Sequence, residues 1–227
     1  MTATGAPAQA ARAFGVVFGG PFVLDVAAAA AAASTARALR ERRRPPVPAL
    51  LGTLAAGAYF TGGRHWMHHW GARRDEPMTH AVEIDAPPEV VWPWLAQIGQ
   101  DRGGFYSHEW LENLAGCDLC NADEIHPEWQ HRELGEQVML HPAMGLPVSR
   151  FDPGRAIALE GWGSFELEPL DGGERTRLAA RGESARGASA LFYALMVEIP
   201  HFVMEREMLL GIKKRAERRA VREAAVA

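Results

Sequence analysis

Short segments of alternating apolar and polar residues fill positions 136–184, and one long helical pattern follows them. Alternation with a period of two is typical of half-buried strands, and the Asp-Gly-Gly at 171–173 is a hairpin signal between two of the segments. The pattern over 189–224 has the period of a helix, and we expect Pro200 to bend or restart it. Its apolar side is marked by Phe202, Met204, Met208 and Leu209. The strand candidates read EQVMLHP, VSRFDPGRAIALEGW, SFELEPL and ERTRLAARGES.

One further strand and two short helices precede this run. Residues 79–86 alternate as a strand does, and Asp85 followed by two prolines predicts a capped helix start. The helix over 88–99 would present Val90, Trp94 and Ile98 on one face, and a second helix over 108–116 would end at its glycine. The order predicts an α+β fold in which a curved antiparallel sheet wraps a long C-terminal helix.

The first 75 residues have a different character and predict an N-terminal helical appendage to a body formed by residues 76–227. Two apolar runs, 13–34 and 47–60, flank the arginine-rich stretch RALRERRRPP. Asp25 and several glycines argue against a membrane span, because a central carboxylate is costly in lipid. Two interpretations stay open: a helical pair with a solvated basic turn, or a hairpin that contacts a membrane surface through residues 13–60.

Charge and cysteine content limit the partners and the compartment. The formal charge of −4 gives no overall basic surface for nucleic acid, so none is expected as a partner. Two cysteines are too few for a disulfide framework and fit a reducing compartment. The N-terminus lacks the layout of a signal peptide. We therefore expect a cytoplasmic protein, either free or associated with the inner face of the cell membrane.

Two stretches of the body resemble a known superfamily. The sequence APPEVVWPWLAQIGQDRGGFYSHEWLEN at 86–113 resembles the opening of a bacterial branch of the START-like superfamily, often labelled SRPBCC or polyketide cyclase/dehydrase-like. HFVMEREMLLGIKKRAE at 201–217 resembles the C-terminal helix of that branch, so the resemblance covers about residues 79–219. It implies a helix-grip fold, with the sheet gripping the helix around an apolar cavity. Members bind lipids, sterols, polyketides or hormones, and some catalyse cyclisation or hydration.

The resemblance suggests a ligand site. The segment between the two short helices would form the lip of the cavity, where Gly103 and Gly104 permit close backbone approaches. Aromatic rings would receive an amphipathic guest, and Arg102 would meet an acidic group. The alternative is plain packing, with Arg102 paired to Asp101 or Glu112. The predicted ligand-binding residues are Trp94, Arg102, Phe105, Tyr106, Trp110, Glu112, Trp162, Phe202 and Glu205.

Catalytic motifs for nucleophiles, phosphates and dinucleotides are missing from the sequence, so any chemistry would depend on acids and bases in the cavity. A buried glutamate with a raised pKa can act as general acid or base. The alternative is an ion pair between Glu205 and an arginine such as Arg102 or Arg181. The candidates are Glu112, Glu160, Glu198, His201 and Glu205.

Cysteine and histidine spacing gives little support for a metal or cofactor, and none is predicted. Cys117 and Cys120 have redox-motif spacing without a second pair, so we expect both thiols to be dispensable. His65 and His69 are spaced to share a helix face. Three functions remain open: binding or carriage of a small hydrophobic or amphipathic ligand, a cyclase- or hydratase-like enzyme, and a membrane-associated interaction protein.

Overall fold

Six antiparallel strands form one sheet in the order β1-β6-β5-β4-β3-β2. The computed structural model describes residues 6–114, 116–183 and 193–225, with side chains from residue 23 onward except 195 and 196. The first strand of the sequence therefore pairs with the last, and the strands between them form a meander. The strands are β1 (Thr79–Ile84), β2 (Gln137–His141), β3 (Met144–Asp152), β4 (Ala156–Leu159), β5 (Gly163–Leu170) and β6 (Arg175–Gly182).

Helices precede the sheet, interrupt it once and close it. A π-helical turn at Tyr59–Gly63 joins α2 to α3, and another at Tyr193–Val197 leads into the last helix. The helices are α1 (Ala6–Arg40), α2 (Val47–Ala58), α3 (Arg64–His68), α4 (Pro88–Ala96), α5 (Glu109–Leu114) and α6 (Glu198–Ala224). The α+β prediction is confirmed, and the curved antiparallel sheet with its long C-terminal helix agrees with a helix-grip layout.

The core lies where α4 and α6 pack against the sheet. Leu209, Ile212 and Ala216 line the inner face of α6 with no exposed surface. Burying a leucine or isoleucine side chain is worth about 1.5–3 kcal/mol, so Leu209 and Ile212 hold the helix against the strands. Trp94 and Tyr106 meet in the same core as an edge-to-face pair, with ring centroids 5.9 Å apart.

The predicted elements are present with bounds that differ by a few residues, the strand candidate at 148–162 divides between β3 and β4, and the predicted helix cap is wrong. Gly172 has φ of 75° in the β5–β6 turn, and Pro200 lies in the first turn of α6, as a restart requires. Residues 189–192 of the predicted long helix lie outside the described residues. Asp85 does not cap α4: Pro87 occupies that position, and the Asp85 carboxylate accepts a 2.8 Å hydrogen bond from Arg175.

Gly103 and Gly104 lie where separate segments of the chain pack closely together. A Cβ on Gly103 would lie 2.6 Å from the Tyr106 hydroxyl, and one on Gly104, where φ is 76°, would lie 2.5 Å from Asn121 Oδ1. On α6, a Cβ on Gly211 would lie 2.1 Å from the carbonyl oxygen of Tyr106. Real Cβ atoms do not approach other atoms this closely, so these positions exclude larger residues.

The N-terminal helices form a hairpin that continues into the body. Thr35 of α1 and Thr53 of α2 share a 3.0 Å hydrogen bond between their hydroxyls. After α3, Arg73 donates to Glu168 at 2.8 Å, and Glu76 accepts hydrogen bonds from Arg177. The contact of Arg73 with Glu168 crosses the predicted 75/76 boundary, which stays a prediction. Among the described residues, no helix combines the length and the hydropathy needed to cross a bilayer.

Candidate functional site

A cavity of about 440 Å³ lies at the N-terminal end of α6, between that helix, α3, β1 and the β4–β5 turn. This volume lies within the range of small-molecule sites. Large rings and a cluster of acid–base groups share its walls. The lining includes His80, Trp162, Tyr193, His201, Phe202 and Glu205.

Local sequence explains how these side chains converge. Glu198, His201, Phe202 and Glu205 follow the spacing of one helical face, so the first two turns of α6 present all four to the cavity. Trp162 occupies the β4–β5 turn between two glycines with positive φ, which the tight turn requires. Its ring meets the His201 ring edge-on, with centroids 4.8 Å apart.

Four acid–base groups form a chain along one wall. Nδ1 of His80 and Oε2 of Glu205 form a short hydrogen bond. The other carboxylate oxygen lies 3.7 Å from Nε2 of His201. On the far side of that ring, Nδ1 lies 3.0 Å from the Tyr193 hydroxyl. The tautomer with hydrogen on Nε2 lets the tyrosine donate to Nδ1 while Glu205 faces the opposite nitrogen.

The environment sets the charge of these groups. Burial raises the pKa of Glu205, but the two neighbouring histidines outweigh burial and leave it below its usual value. Burial lowers the pKa of His201 despite the attraction of that carboxylate. Burial, followed by the charge of Glu205, raises the pKa of Tyr193. At neutral pH the cavity therefore holds a carboxylate, a neutral imidazole and a protonated phenol.

A second carboxylate borders the cavity at its junction with the hairpin. Glu198 accepts hydrogen bonds from Arg64 at 2.8 Å and faces Nε2 of His68 at 2.7 Å. Burial raises the pKa of Glu198, and the bonds from these two partners reverse the shift, so its pKa is lowered. Glu198 is thus ionised and already paired, which ties α3 to the start of α6.

The structure brings only three of the nine predicted ligand-binding residues to this cavity: Trp162, Phe202 and Glu205. The sequence predicted the 101–110 segment at the mouth, and none of its residues lines the cavity. Trp94 and Tyr106 belong to the core, and Phe105 packs against it. Trp110 is 67% exposed on α5.

Arg102 and Glu112 also lie away from the cavity. Arg102 donates to Glu136 at 2.5 Å and to two backbone carbonyls, so its partner is neither of the acids suggested by the sequence. Glu112 is buried, and burial, with the nearby Glu109, raises its pKa to about 7. Glu112 is therefore a buried glutamate with a raised pKa, as the sequence predicted, but it does not line the cavity.

The suggested ion pair of Glu205 with an arginine is wrong. Its partners are His80 and His201, whereas Arg181 binds Glu76, Glu166 and Glu168 across the outer part of the sheet. Of the other acid–base candidates, Glu198 and His201 line the cavity, and Glu160 is exposed.

Sequence reasoning missed His80 and Tyr193. His80 had a usable signal, because the alternation of β1 places it on the same face as the apolar residues Val82 and Ile84. Tyr193 precedes α6 in a stretch of apolar residues and had no comparable signal.

The remaining cysteines and histidines do not form a second centre. Burial, followed by the charge of Glu112, raises the pKa of the Cys117 thiol to about 11, and Cys120 is exposed. His65 and His69 share a helix face as predicted, with ring centroids 4.3 Å apart. In the part of the chain that the structure describes, no three His, Cys, Asp or Glu side chains are grouped as metal ligands would be.

Comparisons of the chain with protein-family models, with curated proteins and with solved structures gave no match. The START-like resemblance therefore stays a prediction from the sequence.

Proposed function

We propose that the protein binds a small, uncharged, amphipathic ligand in the cavity at the start of α6. The observation that carries the proposal is the pairing of aromatic walls with a buried His–Glu cluster around one space of about 440 Å³. Apolar pockets with a few convergent polar groups are the usual form of small-molecule sites. The START-like resemblance points in the same direction.

The charges at the cavity favour a neutral ligand with a hydrogen-bond donor. Glu205 and Glu198 are ionised, and Glu183 also lines the cavity, so an anionic guest would meet carboxylates. A hydroxyl group of the guest has an acceptor in Glu205. The apolar part of the guest would lie against Trp162 and Phe202. This differs from the acidic guest expected from Arg102, which is engaged elsewhere.

Binding of Nile red, a neutral solvatochromic dye, tests the proposal. We expect saturable binding by the full-length protein, which Phe202→Ala and Trp162→Ala weaken by about tenfold or more. A fully buried aromatic contact is worth on the order of 1.5–3 kcal/mol, and each 1.4 kcal/mol is a factor of ten. Fluorescence titration gives the dissociation constants.

Trp110→Ala is the matched control, because it removes the same ring from an exposed position away from the cavity. We expect this variant to bind Nile red as the wild type does. Equal dye affinity in Phe202→Ala, Trp162→Ala and the wild type would contradict the proposal. So would a loss in Trp110→Ala as large as theirs.

The chain of acid–base groups favours a second candidate function, an enzyme that moves a proton on a carbonyl compound. Once the Tyr193 hydroxyl turned from Nδ1 of His201 to the oxygen of a ketone, Nδ1 would accept a proton from the carbon beside the carbonyl, and the C–H electron pair would form the enolate. Glu205 would stabilise the imidazolium that results, and Tyr193 would donate a hydrogen bond to the enolate oxygen. Exchange of the His201 imidazolium proton with solvent, followed by return of a solvent-derived proton to the carbon, completes a replacement in which atoms and charge balance.

Deuterium exchange tests this second candidate. With a medium-chain methyl ketone in D2O, we expect protein-dependent replacement of the hydrogens beside the carbonyl, followed by NMR. His201→Gln should lose the exchange while keeping Nile red binding. Exchange no faster than in buffer, or unchanged in His201→Gln, would rule out the enzyme and leave the binding function standing.

A further inference from the structure

In the helical hairpin formed by α1 and α2, small residues of α2 face α1, and the large apolar residues of α2 face away from it. The residues of α2 that face α1 are Ala49, Gly52, Thr53 and Ala56, all buried or half-buried. A Cβ on Gly52 would lie 2.8 Å from the Cβ of Ala31, so the two helices approach very closely. Small residues and a hydroxyl pair therefore bring the two helices into close contact.

The opposite face of α2 is an apolar stripe made of Val47, Leu50, Leu51 and Leu54. These positions follow the i, i+3, i+4, i+7 spacing of one helix face. Their exposed fractions are 68%, 40%, 60% and 61%, although a helix packed on a protein normally buries such a stripe. The stripe has no partner among the described residues. Exposure of four large apolar side chains in one row indicates a surface that covers them.

The positive charge beside the stripe indicates which kind of surface covers it. The last turn of α1 and the loop that leads into α2, together called the basic loop here, carry five exposed arginines, Arg37, Arg40, Arg42, Arg43 and Arg44, with Glu41 as the only acid between them. Glu41 pairs with Arg37 at 3.0 Å and approaches Arg43 at 3.7 Å. The basic loop therefore keeps a net positive charge directly beside the apolar stripe.

We propose that the apolar stripe of α2 and the basic loop together bind the surface of a membrane that contains anionic lipids. Apolar side chains would enter the boundary between headgroups and acyl chains, and the arginines would meet lipid phosphates. A second copy of this chain fits less well, because it would bring a second set of the same five arginines beside the first. This surface is separate from the ligand cavity, and its test does not depend on the cavity's ligand.

Vesicle flotation with the full-length protein tests the proposal. We expect binding to vesicles of phosphatidylcholine and phosphatidylglycerol in equal parts, and much weaker binding to phosphatidylcholine alone. Raising the salt concentration should release the protein from the anionic vesicles, because salt screens the arginines. This part of the test uses only the wild type, so it does not rely on any variant folding.

Two sets of variants separate the apolar and the electrostatic contributions. Leu51→Ser combined with Leu54→Ser should weaken vesicle binding by at least about tenfold. Arg42→Gln, Arg43→Gln and Arg44→Gln together should weaken binding to the anionic vesicles on the order of a hundredfold and remove the lipid preference. All five side chains are exposed, so thermal unfolding should match the wild type.

The control is Leu114→Ser combined with Leu134→Ser, which changes two leucines exposed on the body, at 58% and 71%. We expect it to bind vesicles as the wild type does. Failure of the wild type to float with anionic vesicles would overturn the proposal, and so would unchanged flotation of the Leu51/Leu54 variant. A dimer in sedimentation that this variant dissociates, with no vesicle binding, would assign the stripe to a second copy instead.

Discussion

Glu76→Gln is expected to lower the free energy of unfolding by about 3–5 kcal/mol, the usual cost of removing one partner from a buried ion pair. The Glu76 carboxylate is 8% exposed and accepts hydrogen bonds from Arg177 at 2.5 Å and from Arg181 at 3.0 Å. Arg177 is itself buried beneath the segment that precedes β1. Glutamine fills the same space but leaves the guanidinium of Arg177 with only part of its countercharge. Urea denaturation measures the difference.

Glu83→Gln is the matched control on the same sheet. Glu83 pairs with Arg175 at 2.7 Å, but its side chain is 57% exposed. Exposed ion pairs contribute about 0–1 kcal/mol, so we expect a loss in that range. Losses of equal size in the two variants would show that burial does not set the value of the Glu76 pair.

The same carboxylate predicts a pH dependence. Burial raises the pKa of Glu76, but hydrogen bonds from the Arg73 amide and from Arg177 and Arg181 lower it to about 2, against a usual 4.5. A lowered pKa means that this contribution to stability is present above pH 4.5 and is lost as the pH falls towards 2. The stability difference between the wild type and Glu76→Gln should therefore shrink across that window.

Gly211→Ala is expected to destabilise the protein by about 1–3 kcal/mol, the cost typical of overpacking. The added methyl group would lie 2.1 Å from the backbone oxygen of Tyr106, and a backbone cannot rotate away as a side chain can. Alanine is the better helix former by about 1 kcal/mol, so the measured loss is what remains after that gain. Chemical denaturation of the full chain measures it.

Gly57→Ala provides the opposite case. Gly57 lies in α2, and a methyl group added there would have nothing within 4 Å, so only helix propensity changes. We expect a small gain in stability there. A gain in Gly211→Ala like that in Gly57→Ala would mean that α6 and the Tyr106 loop are not in tight contact.

Local patterns were enough to predict the architecture. The alternation at 164–170 became β5, the Asp-Gly-Gly turn joined it to β6, and Pro200 marked the restart that begins α6. Each of these signals acts over a few residues, through backbone geometry and the period of side-chain burial. Such signals can be recognised in the sequence because they do not depend on contacts with distant parts of the fold.

The site was harder to predict, because its members meet only across the fold. The 101–110 segment is rich in aromatic residues and contains Arg102. The carboxylate that Arg102 binds belongs to Glu136, which is distant in the sequence. Composition can show that an aromatic ring will be buried, but it cannot show whether the ring lies in the core or lines a cavity. His80 and Glu205 illustrate the same limit, since their hydrogen bond joins residues from the two ends of the body.

Because β1 pairs with β6, β1 can join the sheet only after β6 has been synthesised. Thr79 to Ile84 align with Arg181 to Thr176, so the first strand must wait until nearly a hundred further residues have been synthesised. The cavity waits longer still, because one wall comes from α3 and another from α6. Folding dominated by such distant contacts is slow. A ligand can therefore bind only after α6 has packed against the sheet, so it would stabilise the native protein and not a chain that still lacks this helix.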